Sequence, residues 1–182
     1  MGLTALVALH VLPTGLSPVR NVVSQYGIGS YRTAYRVQTI AYAAAGVGAA
    51  LGIATLPGSV GIVVALCVIF AAARAVISWF PMDDPGSPPT QTGRRHGLLA
   101  IAAFASIGLA GWRLARLLTN DRLYPSIAST TGVLATLWAI SLVAMALNRR
   151  GGGRYVGLIE RGFYGCRTAL LASIAVMLVS SG

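Results

Sequence analysis

The sequence predicts an all-α protein, a polytopic membrane bundle of six transmembrane helices in a single domain over residues 1–182. The first observation is composition: 55% of the residues are hydrophobic and only 10% are charged, and the mean hydropathy is +0.73. The second is that five apolar runs are long enough to cross a hydrocarbon core of about 30 Å, which takes roughly 20 helical residues. Such a chain has lipid as its main solvent.

The five long runs occupy most of the chain after residue 36. They are 37–56, 59–80, 97–118, 127–147 and 162–180. A sixth run, 1–12, reaches only about 18 Å at about 1.5 Å per helical residue, so a short or truncated first helix is expected there. Pro57 and Gly58 predict a tight turn and an antiparallel pair. Gly48 and Gly52 form a small-residue step that predicts close helix packing.

The segment after the first helix has the pattern of a short amphipathic helix. Its apolar residues follow the spacing i, i+3, i+4 and i+7, namely Val19, Val22, Val23 and Tyr26. This pattern predicts a helix in the membrane interface that ends at Gly27. Two interpretations stay open, a surface collar and a lid over the helix ends.

Arginines are distributed unevenly between the two ends of the predicted bundle. One end, called the arginine-rich side below, carries Arg20, Arg32, Arg36, Arg94, Arg95, Arg149, Arg150, Arg154 and Arg161. The opposite end carries Arg113, Arg116 and Arg122. The positive-inside rule then predicts that the connections 13–36, 81–96 and 148–161 are cytoplasmic. We expect the membrane to be a bacterial cytoplasmic (inner) membrane.

Most of the polar chemistry is predicted to meet at the arginine-rich side. Arg74 lies about 9 Å inside the end of its helix, and Arg167 lies at comparable depth. Glu160, Tyr164 and Arg167 share one helical face because they are spaced i, i+4 and i+7. The residues expected near this membrane face are His10, Arg74, Asp83, Asp84, His96, Glu160, Tyr164 and Arg167.

Buried arginines in a membrane helix allow two interpretations. Arg74 and Arg167 either pair with nearby carboxylates and lock the bundle, or form a pocket for an anion. The predicted ligand-binding residues are Arg74, Arg167, Tyr164, Glu160, Tyr26, Ser24 and His10, with the segment 24–26 as a cover.

The arginine-rich side also carries residues suited to acid–base catalysis. Asp83, Asp84 and His96 are the candidate catalytic residues, since a proline-stiffened loop can hold carboxylates rigidly. The chain has only two histidines, and no HExxH, GxSxG, P-loop or GxGxxG motif is present. We therefore predict no metal and no cofactor. Basic residues between apolar runs, without interleaved aromatics, argue against nucleic acid as a partner.

Two polar segments carry a resemblance to a known family. The segment SPVRNVVSQYGIGSYR, after a first helix bearing His10, and the segments FPMDDPG and TGRRHG resemble the prokaryotic integral membrane proteins catalogued as domain of unknown function 998. The resemblance covers nearly the whole chain. It implies a six-helix membrane fold in which the two polar segments are paired, and it implies no activity. The short first helix departs from the family's pattern.

Three functions remain open from the sequence. The first is binding of a small anionic ligand or lipid headgroup in a pocket at the cytoplasmic helix ends. The second is an intramembrane hydrolase or transferase that uses Asp83, Asp84 and His96. The third is an accessory subunit, in which the polar cluster is structural and the partner is another membrane protein or a second copy. Membrane lipid is the expected partner in all three.

Overall fold

All regular structure in the described residues is helical. The computed structural model describes residues 2–119 and 125–180, so Met1 and Arg122, which the sequence predictions used, lie outside the described residues. The six α-helices, α1 to α6, are Gly2–Val11, Arg32–Ala54, Gly61–Val76, Gln91–Leu118, Pro125–Arg150 and Val156–Ser180. Two short 3-10 helices cover Val23–Gly27 and Ile77–Trp79. Five helices, all but α1, are long and apolar enough to cross a membrane.

Six α-helices occur among the described residues, but only five of them are long enough to span a membrane, so the predicted six spans are confirmed only in part. Helices α2, α4, α5 and α6 begin earlier than hydropathy suggested, α4 and α6 by the most. Helix α4 begins at Gln91 and α6 at Val156, six residues before each predicted start. For α4 the reason is the N-cap: the Thr90 hydroxyl accepts a 3.0 Å hydrogen bond from the amide of Gly93. A capped polar turn extends the helix beyond its apolar run, and a hydropathy window does not detect such a turn.

The helices pack mainly against their neighbours in sequence. Each of α1 to α5 contacts the next helix along the chain, and α6 also touches α2 and α4. Contacts of α6 with non-sequential helices close the bundle. They bring the polar residues of α6 against those of α2, and both helices lie beside the last turn of α3.

Of the two glycines expected to pack closely along α2, Gly52 does so and Gly48 does not. A side chain at Gly46 would place its Cβ 2.7 Å from the Phe70 ring, and Gly52 lies directly against Leu178 of α6. Gly48 instead has no neighbouring atom within 4 Å. The predicted Gly48 contact is therefore wrong, because that residue is on the outer face of α2, while Gly46 makes the contact with α3.

The predicted amphipathic α-helix is not confirmed, since only the 3-10 helix Val23–Gly27 forms there. Its apolar side is nevertheless buried at Val22, Val23 and Tyr26. Besides the hydrogen bonds within the segment, two of its backbone groups bond to α6. The Val19 carbonyl accepts from the amide of Leu158 at 3.0 Å, and the Val23 amide donates to Glu160 at 2.7 Å.

Substitution of Gly46 by alanine should destabilise the bundle, whereas the same change at Gly48 should not. Both residues lie in α2 and gain the same helix propensity, but only the Gly46 methyl group would overlap Phe70. Overpacking of this kind costs about 1–3 kcal/mol. The measurement is the thermal midpoint in mild detergent, and equal midpoints for the two variants would contradict this packing.

Candidate functional site

A cavity of about 470 Å³ lies at the arginine-rich side of the bundle. This volume is within the range of small-molecule sites, about 300–1,000 Å³. Its polar lining consists of Ser24, Tyr35, Arg74, Asp83, His96, Glu160 and Tyr164. Its apolar lining includes Ile77, Ile101, Phe104, Leu142 and Met145. The cavity is therefore amphiphilic, with a polar region supplied mainly by α2, α3 and α6 and an apolar wall supplied mainly by α4 and α5.

Arg74 is the deepest cation of this lining. It lies in the last turn of α3, where the helix dipole favours a positive charge, and only 1% of its surface is exposed. One terminal nitrogen donates to Gln38 Oε1 at 2.8 Å, and the other donates to the Tyr164 hydroxyl at 3.5 Å. Its Nε has no hydrogen-bond partner among the described residues. Arg74 therefore keeps a donor available beside the cavity.

Arg167 lies behind the cavity rather than on its wall. Its guanidinium carbon is 3.6 Å from the centre of the Tyr42 ring and 4.0 Å from that of Tyr164. None of its three guanidinium nitrogens has a hydrogen-bond partner in the described part of the chain. Aromatic faces can stabilise a desolvated cation by about 2 kcal/mol or more each. The Tyr164 ring lies between the Arg167 guanidinium and the cavity, so the positive charge of Arg167 is near the cavity without lining it.

A cluster around Arg161 attaches the 3-10 segment to α6. Arg161 donates to the Asn21 carbonyl at 2.8 Å and to the Tyr26 hydroxyl at 3.2 Å, and its Nε donates to His10 Nε2. His10 donates through Nδ1 to the Leu6 carbonyl at 2.5 Å, since a carbonyl can only accept. His10 and Tyr26 therefore belong to this attachment and not to the cavity lining, whereas Ser24 reaches the cavity.

Asp83 stabilises the start of α4 through hydrogen bonds with Thr90. Its carboxylate accepts from the Thr90 amide at 3.1 Å and from the Thr90 hydroxyl at 2.5 Å, and it lies directly against Gly93. These bonds, the hydroxyl one first, lower the pKa of Asp83 below its ordinary value of 3.8. Asp84 is exposed and does not line the cavity. The two neighbouring carboxylates thus occupy different environments.

The environment of His96 defines its tautomer. Nδ1 lies 2.7 Å from the Phe80 carbonyl oxygen and must donate to it. In the neutral ring Nε2 then carries a lone pair, which makes it a hydrogen-bond acceptor. His96 lines the cavity together with Asp83, but no hydrogen bond joins the two residues within residues 2–119. These candidate catalytic groups bond to the backbone instead of forming an acid–base pair.

Several residues of the site were not identified from the sequence. Tyr35 and Gln38 of α2 meet Arg74 at the cavity, and Tyr42 of the same helix covers Arg167. Their spacing of i, i+3 and i+7 places three polar or aromatic residues on one helical face, a detectable signal. Arg161 was counted only as a surface charge. Its role depends on a backbone carbonyl of a distant segment, for which the sequence holds no signal.

The chemistry of the lining favours a hydrogen-bonding ligand over a metal. No group of three or more His, Cys, Asp or Glu side chains suited to a metal ion occurs among the described residues. The Tyr35 hydroxyl is buried and lacks a hydrogen-bond partner, as does Arg74 Nε, in the part of the chain that the structure describes. Unpaired polar groups at a cavity are costly unless a ligand or water completes them.

Replacing Asp83 with asparagine should make the pH dependence of stability weaker. The folded pKa of Asp83 lies below its ordinary value of 3.8, so its charge stabilises the fold above that pH and the contribution disappears as pH falls through the folded pKa. The thermal midpoint of Asp83→Asn should lie below the wild-type midpoint at pH 7, and the gap should begin to narrow as pH falls below about 4 and continue to narrow as pH falls through the folded pKa. Asp84→Asn is the matched control. A gap that does not narrow at all with falling pH would contradict the assignment.

Comparison with known proteins identifies a family. The family model described as "Protein of unknown function (DUF998)" matches residues 1–177. No curated protein matches the chain, and no solved structure matches it.

Proposed function

Since the chain belongs to the DUF998 family, whose description assigns no activity, we infer its function from its own cavity, and we propose that it binds a phosphate-bearing amphiphile of the membrane. The observation that carries the proposal is the pairing of a buried, incompletely bonded Arg74 with an apolar wall in one cavity. A guanidinium is well suited to phosphate oxygens because its donors form a planar fork.

The polar end supports recognition of a phosphate group. Arg74 Nε and the Tyr35 hydroxyl have no hydrogen-bond partner among residues 2–119 and 125–180, so both can donate to a ligand. The Tyr164 hydroxyl accepts from Arg74 and therefore keeps its own proton to donate. Arg167 adds a second positive charge behind the Tyr164 ring. Three donors of this kind, removed from water, would bind an anion more strongly than the same groups at a surface.

The apolar end supports an amphiphile over a free anion. Ile101 lines the cavity and is 66% exposed on the outer surface of α4, a helix apolar enough to cross a membrane. The apolar wall therefore continues onto a surface suited to contact with acyl chains. A headgroup would occupy the cavity while its chains extend past Ile101 into the bilayer, and the segment around Ser24 would cover the headgroup. Inorganic phosphate would use only the polar end.

Replacing Arg74 with methionine should remove bound phospholipid. Charge-assisted hydrogen bonds contribute about 1.5–3 kcal/mol, so affinity should fall roughly tenfold to a hundredfold. The measurement is native mass spectrometry from mild detergent after incubation with phospholipid or, separately, with inorganic phosphate. Arg36→Met is the matched control, since Arg36 is exposed and lies on the Trp79 ring.

Tyr35→Phe tests the same site without removing a charge. This variant lacks only the unpartnered hydroxyl, so we expect weaker lipid binding at an unchanged thermal midpoint. If adducts form with inorganic phosphate but not with phospholipid, the ligand is a free anion. A wild-type protein that binds neither would contradict the proposed function and would favour an accessory or catalytic role.

We further propose that the arginine-rich side faces the cytoplasm of a bacterial inner membrane. The support is the excess of basic residues at this end, together with the cavity and its cover. The connections 13–31, 80–90 and 151–155 would then be cytoplasmic, and the cavity would draw its ligand from the inner leaflet.

Cysteine labelling of intact cells tests this orientation. In a Cys67→Ala/Cys166→Ala background, Ser87→Cys in the 80–90 connection should be protected from a membrane-impermeant maleimide. Ser126→Cys, exposed at the start of α5 on the opposite side, should react. The reverse pattern would invert the proposed orientation.

A further inference from the structure

The charges at the cavity are mixed rather than uniformly positive. Arg74 contributes a cation, and Asp83 and Glu160 contribute carboxylates to the same lining. Arg167 supplies a second cation behind Tyr164. A ligand with only negative charge would face both carboxylates, and a ligand with only positive charge would face the buried guanidiniums. Neither kind of ion complements the whole site.

The charges are also separated by depth. Arg74 and Tyr35 are buried, with 1% and 2% of their surfaces exposed. Asp83 is only partly buried and belongs to the connection between α3 and α4, at the mouth of the cavity. Its carboxylate accepts two hydrogen bonds from Thr90 and has capacity for others, since an ionised carboxylate offers about four lone-pair sites. Glu160 is buried as well, where it accepts from the Val23 amide and interacts with Arg74, so the separation by depth is between Arg74 and Asp83.

Two other acceptors, on His96 and Ser24, line the same cavity as Asp83. The neutral tautomer of His96, which donates through Nδ1 to Phe80, leaves the Nε2 lone pair as an acceptor. Ser24 of the covering segment also lines the cavity and is partly buried. A primary ammonium has three N–H donors on one nitrogen, and these three acceptors match that chemistry. A quaternary ammonium has no N–H to donate.

We propose that the ligand is a zwitterionic aminophospholipid whose phosphate lies at Arg74 and Tyr35 and whose primary ammonium lies at Asp83, His96 and Ser24. This inference rests on the proposed function, because it assumes that a phospholipid enters the cavity. It adds a selectivity: phosphatidylethanolamine is bound in preference to phosphatidylglycerol, which lacks the ammonium, and to phosphatidylcholine, which lacks its N–H donors.

Competition between lipids tests the selectivity on the wild-type protein. The full chain is incubated in mild detergent with equal amounts of phosphatidylethanolamine, phosphatidylglycerol and phosphatidylcholine of identical acyl chains. Native mass spectrometry then gives the ratio of adducts. One charge-assisted interaction should favour phosphatidylethanolamine by about tenfold. Equal or preferential binding of phosphatidylglycerol or phosphatidylcholine would overturn the inference and leave the proposed function intact, whereas a bare chain in all mixtures would overturn both.

Variants of the cavity lining test which side chains give the lipid selectivity. Asp83→Asn should reduce the preference for phosphatidylethanolamine over phosphatidylglycerol about tenfold, because the amide keeps the size of the side chain and loses its charge. Asp84→Asn should keep the wild-type preference. Ser24→Ala, which leaves the α4 cap unchanged, should reduce the preference by a smaller factor. Retention of the full preference in both Asp83→Asn and Ser24→Ala would overturn the assignment of the ammonium position.

Discussion

The burial of two guanidiniums inside a membrane bundle is the constraint on which the rest of the structure depends. Each buried charge carries a desolvation penalty of several kcal/mol unless neighbouring groups offset it. Arg74 is offset by Gln38 and Tyr164, whereas Arg167 lies between aromatic rings. Because these neighbours come from α2 and α6, the requirement to stabilise the charges also determines which helix faces meet.

The segment that contains the 3-10 helix Val23–Gly27 and the cavity are physically one unit. The amide of Val23 bonds to Glu160, and Arg161, one residue further along α6, holds the carbonyl of Asn21. Glu160 is also close enough to Arg74 to interact with it electrostatically. A displacement of the segment would therefore change the surroundings of the buried charge, which couples access to the cavity with the electrostatics inside it.

The polar loop between α3 and α4 combines structural and binding chemistry in the same side chains. Asp83 caps the start of α4 through Thr90 while lining the cavity, and His96 bonds to Phe80 at the other end of the loop. Each group keeps further hydrogen-bonding capacity after its structural bond is made. Rigid placement by the fold would lower the entropy cost of binding the proposed ligand, since these groups are already ordered by their structural hydrogen bonds.

The sequence by itself determined the helical class, the presence of five helices long enough to span a membrane, and the end of the bundle at which polar residues collect. These properties follow from hydropathy and from helical spacing, which are local, and Glu160, Tyr164 and Arg167 were correctly assigned to one face for this reason. Only the tertiary structure decided that Arg167 stacks behind the cavity, that Tyr35 and Gln38 join Arg74, and that the segment after α1 forms a 3-10 helix. Each of these depends on contacts between helices distant in sequence, where competing hydrogen-bond partners override local propensity.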